Sequence, residues 1–325
     1  MRGYGPPTAD GLALLAASIV VPVVLGTLVL RAQPGGRWMR PVAWGVLVAA
    51  LVGGAYLTRT ERAGNRMLLL CAAIFFAMKL VVTTEARVTG RAMPTLARWL
   101  AFHFLWPGMR PWAFVAAHDG ARPGASRLVI EGAIAMAAGV LLLVTARALG
   151  TAGPRYIPSL MIGLAGLGLS IHFGFFRMLA GFWRWRGAAI APLFDAPQRS
   201  RSLSEFWGMR WNRAFSEMAQ VAVHRPLLSR AGPAVATMTV FLFSGVLHEM
   251  ALSVSVNRCY GLPLLYFTLH GGLSLVEKRL GFGVRGTSGS PSRWGIAWTL
   301  AWVLVPAPLL FHAPFLDGCI VPLLE

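Results

Sequence analysis

Charge is scarce in this sequence. Asp, Glu, Lys and Arg make up only 13% of the 325 residues, and the acidic ones are scarcer still, 12 against 30 basic. With 56% hydrophobic residues and a mean hydropathy of +0.61, the chain falls outside the range of a soluble globular domain. Cysteine is scarce too. Cys71, Cys259 and Cys319 have neither metal-ligand spacing nor the pattern of a disulfide framework, so packing is their expected use. Also missing are a Pro/Ser-rich linker, an internal repeat and a hydrophilic block long enough for a soluble module. One domain over 1–325 is therefore expected. No stretch shows the period-two alternation of an outer-membrane barrel strand, which leaves helices as the spanning element.

What is present is a series of long apolar runs. Crossing about 30 Å of hydrocarbon takes roughly 20 apolar residues per helix. Spans are expected near 11–30, 41–57, 67–84, 128–146, 157–181, 232–256, 261–276 and 294–316. The expected fold class is thus an all-α polytopic membrane protein, with about eight transmembrane helices plus interfacial or re-entrant ones. The first run is read as a helix and not a signal peptide, because it is long for an h-region and Arg31 follows it where a small-residue cleavage site is wanted.

A net charge of +18 is also the footprint of nucleic-acid binding. Membrane topology accounts for it instead, because basic residues collect in short cytoplasmic loops. With both termini outside, the cytoplasmic segments hold Arg31, Arg37 and Arg40, six arginines between 87 and 127, eight between 184 and 230, and Lys278, Arg279, Arg285 and Arg293. The outer segments hold only Arg2, Arg59, Arg62, Arg66, Arg147, Arg155 and Arg258, while Lys79 and Arg177 lie within spans. The asymmetry predicts an N-out, C-out orientation and no nucleic-acid partner. It also puts Cys259 and Cys319 on one side, where pairing is open to them.

Two loops are long. The segment 85–127 contains "LARWLAFHFLWPGMRPWAF", too interrupted by proline to span and too apolar for water, which suits a re-entrant or interfacial element. The loop 184–230 contains "SLSEFWGMRWNRAF". Ser202 and Glu205 form a capping box there, predicting an amphipathic helix. On a continuous helix, Leu203, Trp207, Trp211, Ala214, Phe215, Met218 and Val221 share an arc of about 120°. Arg210 and Arg213 lie on one flank, and Asn212 on the other, beside Gly208 and Ala219. The tryptophans are expected to anchor this helix in the headgroup plane.

His248 falls in "TMTVFLFSGVLHEMALSVSV", followed by Glu249. Ionisable groups are costly at membrane depth, and a His-Glu pair there is a functional candidate. Thr237, Ser244, His248 and Ser255 fall within about 40° of one another on a helix and form a polar stripe. The competing reading is a histidine that hydrogen-bonds a neighbouring helix for packing, and for His103, His172 and His270 that reading is preferred.

The pattern "FWGMRWN", 36 residues from Asn212 to the histidine of "SGVLHE", resembles the membrane-bound O-acyltransferase superfamily, and specifically its wax-synthase-like branch. "LSEF", "FLWPGMRPWAF" and "LLYFTLHGGLSLVEKRL" add to the resemblance, which covers roughly 100–280. It implies a catalytic histidine at His248, a supporting polar residue at Asn212 and an acyl-CoA donor entering from the cytoplasm. Residue chemistry agrees. Moving an acyl group from a thioester to an alcohol needs a base for the hydroxyl proton, and a neutral imidazole suits that task. An amide such as Asn212 can donate to a developing oxyanion without adding charge. Arg199, Arg201, Arg210 and Arg213 are placed where coenzyme A phosphates arrive, with ordinary positive-inside residues as the alternative. Trp207, Trp211, Ser244 and Glu249 complete the expected substrate-binding set. No metal or cofactor is expected beyond acyl-CoA as donor substrate. The partners expected are a lipophilic hydroxylated acceptor and membrane lipids, with self-association left open. No Ser-His-Asp elbow or reactive cysteine appears, so direct transfer is expected.

Two other signals are set aside. "GFGVRG" at 281–286 lacks the strand and helix of a dinucleotide site. "HDG" at 118–120 lacks the second histidine of a soluble wax-synthase motif. The rival class is a transporter that uses His248, Glu249, Lys79, Arg177 and Glu131 as an ion path. The Trp-rich helix and the absence of paired broken helices disfavour it. An acyltransferase acting on a sugar, polyketide or secreted polymer stays open.

Overall fold

The computed structural model describes residues 3–115, 120–281 and 293–325. Its regular structure among those residues is helical throughout, as expected for an all-α membrane protein. Seven helices are long and apolar enough to cross a membrane: Ala9–Arg31, Met39–Leu57, Ala63–Val88, Ala125–Leu149, Gly153–Trp185, Arg213–Val256 and Arg293–Leu310. Ala313–Leu324 is a shorter apolar stretch. The remaining expected span, 261–276, is the helix Leu262–Arg279. It has the length, but it ends in Glu277-Lys278-Arg279 and carries His270, which lowers its hydropathy below that of the others. The chain divides into two compact units, Met1–Leu193 with Leu316–Glu325, and Phe194–Phe315.

In the first unit, α1 (Ala9–Arg31), α2 (Met39–Leu57) and α3 (Ala63–Val88) pack together. Thr8 caps α1 by accepting from the Gly11 amide. Arg40 of α2 donates two hydrogen bonds to the buried Glu85 of α3, at 2.8 and 2.9 Å. The 85–127 segment contains a ten-residue helix, α4 (Leu96–Leu105), too short to span, which buries Trp99, Phe102 and His103. Its free C-terminal carbonyls have a partner in α3. Lys79 Nζ donates to the carbonyls of Phe102, Trp106 and Gly108 at 2.9, 2.6 and 2.6 Å. A cation at a helix C-terminus satisfies both the orphan acceptors and the helix dipole.

Beyond α4, α5 (Ala125–Leu149) packs along α6 (Tyr156–Leu167), a π-helical stretch (Gly168–Phe175) and α7 (Phe176–Trp185). Small residues allow the contact. A Cβ on Gly139 would lie 2.5 Å from the Ser170 amide nitrogen, and one on Gly174 2.9 Å from Met136 Cα.

The second unit contains α8 (Leu203–Glu205), α9 (Arg213–Ala219), α10 (Arg225–Val256), α11 (Leu262–Arg279) and α12 (Arg293–Leu304), then the short α13 (Ala307–Leu310) and α14 (Ala313–Phe315). Its frame is the antiparallel pair α10 and α11, joined through Asn257, whose φ of 52° ends α10 in the left-handed region. Near its start α10 is kinked at Gly232 and Pro233, where Gly232 has φ 81° and ψ 172°.

Candidate active site

Of the residues singled out in the sequence, His248, Ser244, Glu249 and Trp207 lie on or against α10 and α11. His248 lies on α10, and its Nδ1 is 2.8 Å from the carbonyl oxygen of Ser244, one turn back. A carbonyl only accepts, so Nδ1 carries the hydrogen and Nε2 keeps its lone pair. Nε2 makes no hydrogen bond with any described residue, and the ring is partly exposed while Ser244 is buried. The imidazole leans on the Phe267 ring of α11, with centroids 4.3 Å apart. The rest of the polar stripe is committed. Thr237 accepts from Lys278 Nζ at 3.2 Å, and Ser255 Oγ donates to the Leu252 carbonyl.

The "SLSEFWGMRWN" stretch departs from the expected continuous helix. Ser202 does cap it, accepting from the Glu205 amide at 3.0 Å. The reciprocal bond runs from the Arg201 amide to the Glu205 carboxylate. After Glu205 comes a π-turn at Phe206–Arg210. Trp211 is extended, and Asn212 enters the left-handed region at φ 43°. A helical projection cannot be carried across such a break. The faces on either side are therefore set separately, and Trp207 and Trp211 do not share the stripe assigned to them.

Trp207 points inward. Its Nε1–H donates to His270 Nδ1 at 2.8 Å, and its ring lies 5.3 Å from Phe267. His270 in turn donates from Nε2 to the Trp302 carbonyl at 3.0 Å, so both ring nitrogens are used. Trp211 stacks on Phe206 and meets Phe194 edge-on. Asn212 is the N-cap of α9, its Oδ1 accepting from the Phe215 amide at 3.3 Å. Oδ1 is thus occupied, and no described residue takes a hydrogen bond from Nδ2.

Glu277 is the residue that sequence reasoning missed. It is fully buried on α11 and accepts from the amides of Leu203 and Ser204 at 2.8 and 3.3 Å and from the Trp298 indole at 2.9 Å. A carboxylate against the first amides of a helix satisfies orphan donors. Nothing in "VEKRL" separates Glu277 from its charged neighbours except its place one turn beyond Ser274 on the buried face.

The expected electrostatic partners are placed differently. Glu249 accepts from the amides of Gly261 and Leu264 at 2.6 and 3.2 Å, at the N-terminus of α11. Adjacent residues on a helix diverge by about 100°, which turns Glu249 away as His248 faces Phe267. Arg210 donates to Glu205 at 2.7 Å and to the Asp195 carbonyl at 3.1 Å, bracing the turn in which Ala196 takes a left-handed φ of 46°. The Glu205 carboxyl sits below the usual carboxylate range. Burial pushes it up but is outweighed by the Arg201 amide and the Arg210 guanidinium. Arg213 is half-buried, and Arg199 and Arg201 are exposed.

A serine–histidine pair does occur, but it is oriented against nucleophilic catalysis. Ser253 Oγ is 3.3 Å from His312 Nε2, yet His312 Nδ1 accepts from the Phe315 amide, so Nε2 carries the hydrogen. It cannot take the serine proton. Of the rival ion-path residues, Glu131 pairs with Arg177 at 2.7 Å, while Lys79 and Glu249 serve helix ends. His103 is buried among Phe76, Trp99 and Phe104. Among the described residues, no three His, Cys, Asp or Glu side chains gather as a metal site. His118 and Asp119 of "HDG", 282–286 of "GFGVRG" and Arg285 lie outside the described residues.

Comparison with known proteins meets this geometry from the other direction. Residues 190–269, which include Trp207, Asn212, His248 and Phe267, match the model of the membrane bound O-acyl transferase family. The chain is similar to a probable long-chain-alcohol O-fatty-acyltransferase 7 of Arabidopsis thaliana, 31% identical over 140 residues, covering 38% of this chain and 40% of the relative. It is 28% identical over 134 residues to acyl-CoA–sterol O-acyltransferase 1 of the same plant, covering 39% of each. Against a long-chain-alcohol O-fatty-acyltransferase of Simmondsia chinensis it is 28% identical over 137 residues, covering 38% of each. The matches thus span about two fifths of the length of these curated relatives. These matches, at modest identity, support a wax-synthase-like member of the membrane-bound O-acyltransferase superfamily. With its seven long apolar helices it is an integral, multi-pass membrane protein.

Proposed function

We propose that this protein is a membrane O-acyltransferase that moves a fatty acyl group from acyl-CoA to the hydroxyl of a lipophilic alcohol or sterol, with His248 as general base. The observation that carries the reading is the His248 tautomer. The Nδ1–H bond to the Ser244 carbonyl leaves Nε2 as an unoccupied acceptor on a partly exposed ring. In the transfer, the acceptor oxygen attacks the thioester carbonyl carbon as Nε2 takes the hydroxyl proton. The C–O bond forms, the C–S bond breaks, and the proton passes from the imidazolium to the leaving coenzyme A thiolate. Asn212 Nδ2 is the donor suited to the oxyanion that forms in between. With no serine nucleophile activated among the described residues, the transfer is read as direct. Acyl-CoA is a substrate, and no cofactor is assigned.

Long-chain alcohols and sterols appear in the names of the relatives, which is why these acceptors are preferred over sugars, polyketides or polymers. The donor reaches the site from the cytoplasm on this reading, with both termini outside, an orientation that the arginine asymmetry favours. The test is mass spectrometry of products from purified protein in lipid, given acyl-CoA and a panel of long-chain alcohols, sterols and glycosides. A wax or steryl ester that disappears in His248→Ala is the expected result. Ester formed equally by that variant overturns the role of His248, and acylation of glycosides alone overturns the acceptor class.

A further inference from the structure

Phe267, His270, Ser274 and Glu277 follow one another at helical spacing on α11, so they share one face. At one end of this face, Glu277 takes the first amides of α8, and in the middle His270 takes the Trp207 indole. At the other end Phe267 lies between Trp207, at 5.3 Å, and His248, at 4.3 Å. The "SLSEFW" segment is therefore fastened to α11 at two points, and the second fastening point is one ring away from the base. His270 has no proton-transfer capacity to spare, because Nδ1 accepts from Trp207 and Nε2 donates to the Trp302 carbonyl.

We propose that His270 is a positioning residue for acyl transfer: its hydrogen bond to Trp207 fixes the indole against Phe267, and Phe267 fixes the plane of the His248 imidazole. This rests on the reading of His248 as the base. Rotation about the His248 side chain would carry Nε2 off the line to the acceptor hydroxyl while leaving donor binding intact. The Ser244 carbonyl restrains one ring nitrogen, and the Phe267 ring, 4.3 Å away and inclined by 39°, restrains the tilt about that bond. Trp207 is thus assigned to the site from within, and not as an anchor in the headgroup plane.

The experiment compares Trp207→Phe, His270→Leu, the double variant and His270→Gln in purified full-length protein. Each of the first two is expected to lower kcat roughly tenfold to a hundredfold with the KM for acyl-CoA little changed, the cost of misplacing a reacting group. The double variant should lose no more than His270→Leu alone, because both remove one hydrogen bond. Glutamine can accept from the indole and donate to the Trp302 carbonyl, so His270→Gln should recover most of the rate. Losses that multiply in the double variant overturn the proposal, as does a His270→Leu protein with wild-type kcat. If His270→Leu fails to fold, the comparison of Trp207→Phe with His270→Gln decides. A second readout needs no turnover: the rate at which diethyl pyrocarbonate modifies His248, followed by peptide mass mapping with His224 as internal reference. Trp207→Phe should change the His248 rate and leave that of His224 alone, and an unchanged ratio overturns the proposal. A wild-type protein that acylates nothing defeats the functional reading instead, and the modification ratio then decides on the positioning by itself.

Discussion

The carboxylate of Glu277 and the amide of Leu203 lie 74 residues apart in sequence and 2.8 Å apart in space. That bond, with those from Ser204 and Trp298, holds the start of the "SLSEFWGMRWN" segment on α11. Its removal takes the acceptor from the buried Leu203 amide, at about 1–3 kcal/mol, and from two part-buried donors besides. Glu277→Ala is expected to lower thermal stability sharply or abolish folded protein, read as the melting temperature in detergent. Glu277→Gln keeps one acceptor oxygen and should fall between. A wild-type melting temperature for Glu277→Ala contradicts this.

His248 is expected to be intolerant of substitution and Ser244 tolerant. A positioned general base contributes roughly 10²–10⁴-fold, so His248→Ala should keep well under a tenth of the wild-type rate while expressing and folding normally. Ser244→Ala leaves the carbonyl that orients Nδ1 and should retain the greater part of activity. Initial rates of ester formation decide. A more severe loss in Ser244→Ala than in His248→Ala reverses the assignment.

Asn212 combines a structural oxygen with an unengaged amide nitrogen, and two variants separate them. Asn212→Asp keeps the capping oxygen and tolerates a φ of 43°, whereas Asn212→Ala loses the cap and is strained there. Stability should therefore fall by about 1 kcal/mol or more in Ala only. Both should lose kcat on the order of 10²–10³ if Nδ2 serves the oxyanion. An Asp variant with full kcat assigns Asn212 to capping alone.

The arginines of this segment differ in what they already hold. Arg210 is spent on Glu205 and on the Asp195 carbonyl, so Arg210→Ala should lower stability with little effect on the acyl-CoA KM. Among the described residues Arg213 has no side-chain bond of this kind, and Arg213→Ala should raise that KM. The Arg210 effect carries a pH signature. The folded Glu205 carboxyl is held below its unfolded value, so this pair stabilises fully above about pH 4.3 and its contribution disappears as pH falls through the folded value. Unfolding of wild type and Arg210→Ala should differ at pH 6–7 and converge in strong acid. A constant difference across that range removes the pair as its cause.

The orientation is checked with Arg279→Cys at the exposed C-terminal end of α11, in a background with Cys71, Cys259 and Cys319 replaced by alanine. A membrane-impermeant maleimide should label it only from the cytoplasmic side. Labelling from outside alone reverses the N-out, C-out assignment and the side from which acyl-CoA arrives.

Composition and apolar periodicity were enough to establish an all-α membrane protein, because a chain this poor in charge has no alternative solvent and hydrocarbon leaves its backbone no alternative to helices. The letters "FWGMRWN" and "SGVLHE" also carried the family resemblance and singled out His248 as a candidate, since an ionisable side chain in an apolar run stands out by its cost. Other features depended on three-dimensional packing. A projection at fixed pitch presumes an unbroken helix, and the left-handed turn at Asn212 can be seen only in the backbone. The burial of Glu277 and the turn of Glu249 towards the start of α11 were likewise hidden, because a carboxylate looks the same in a sequence whether water or a row of amides satisfies it. The pairing of Trp207 with His270 joins residues 63 positions apart, and no local pattern encodes that distance. Local propensity and hydropathy act over a turn or two of helix, whereas hydrogen bonds between elements form only after packing has brought them within 3 Å of each other.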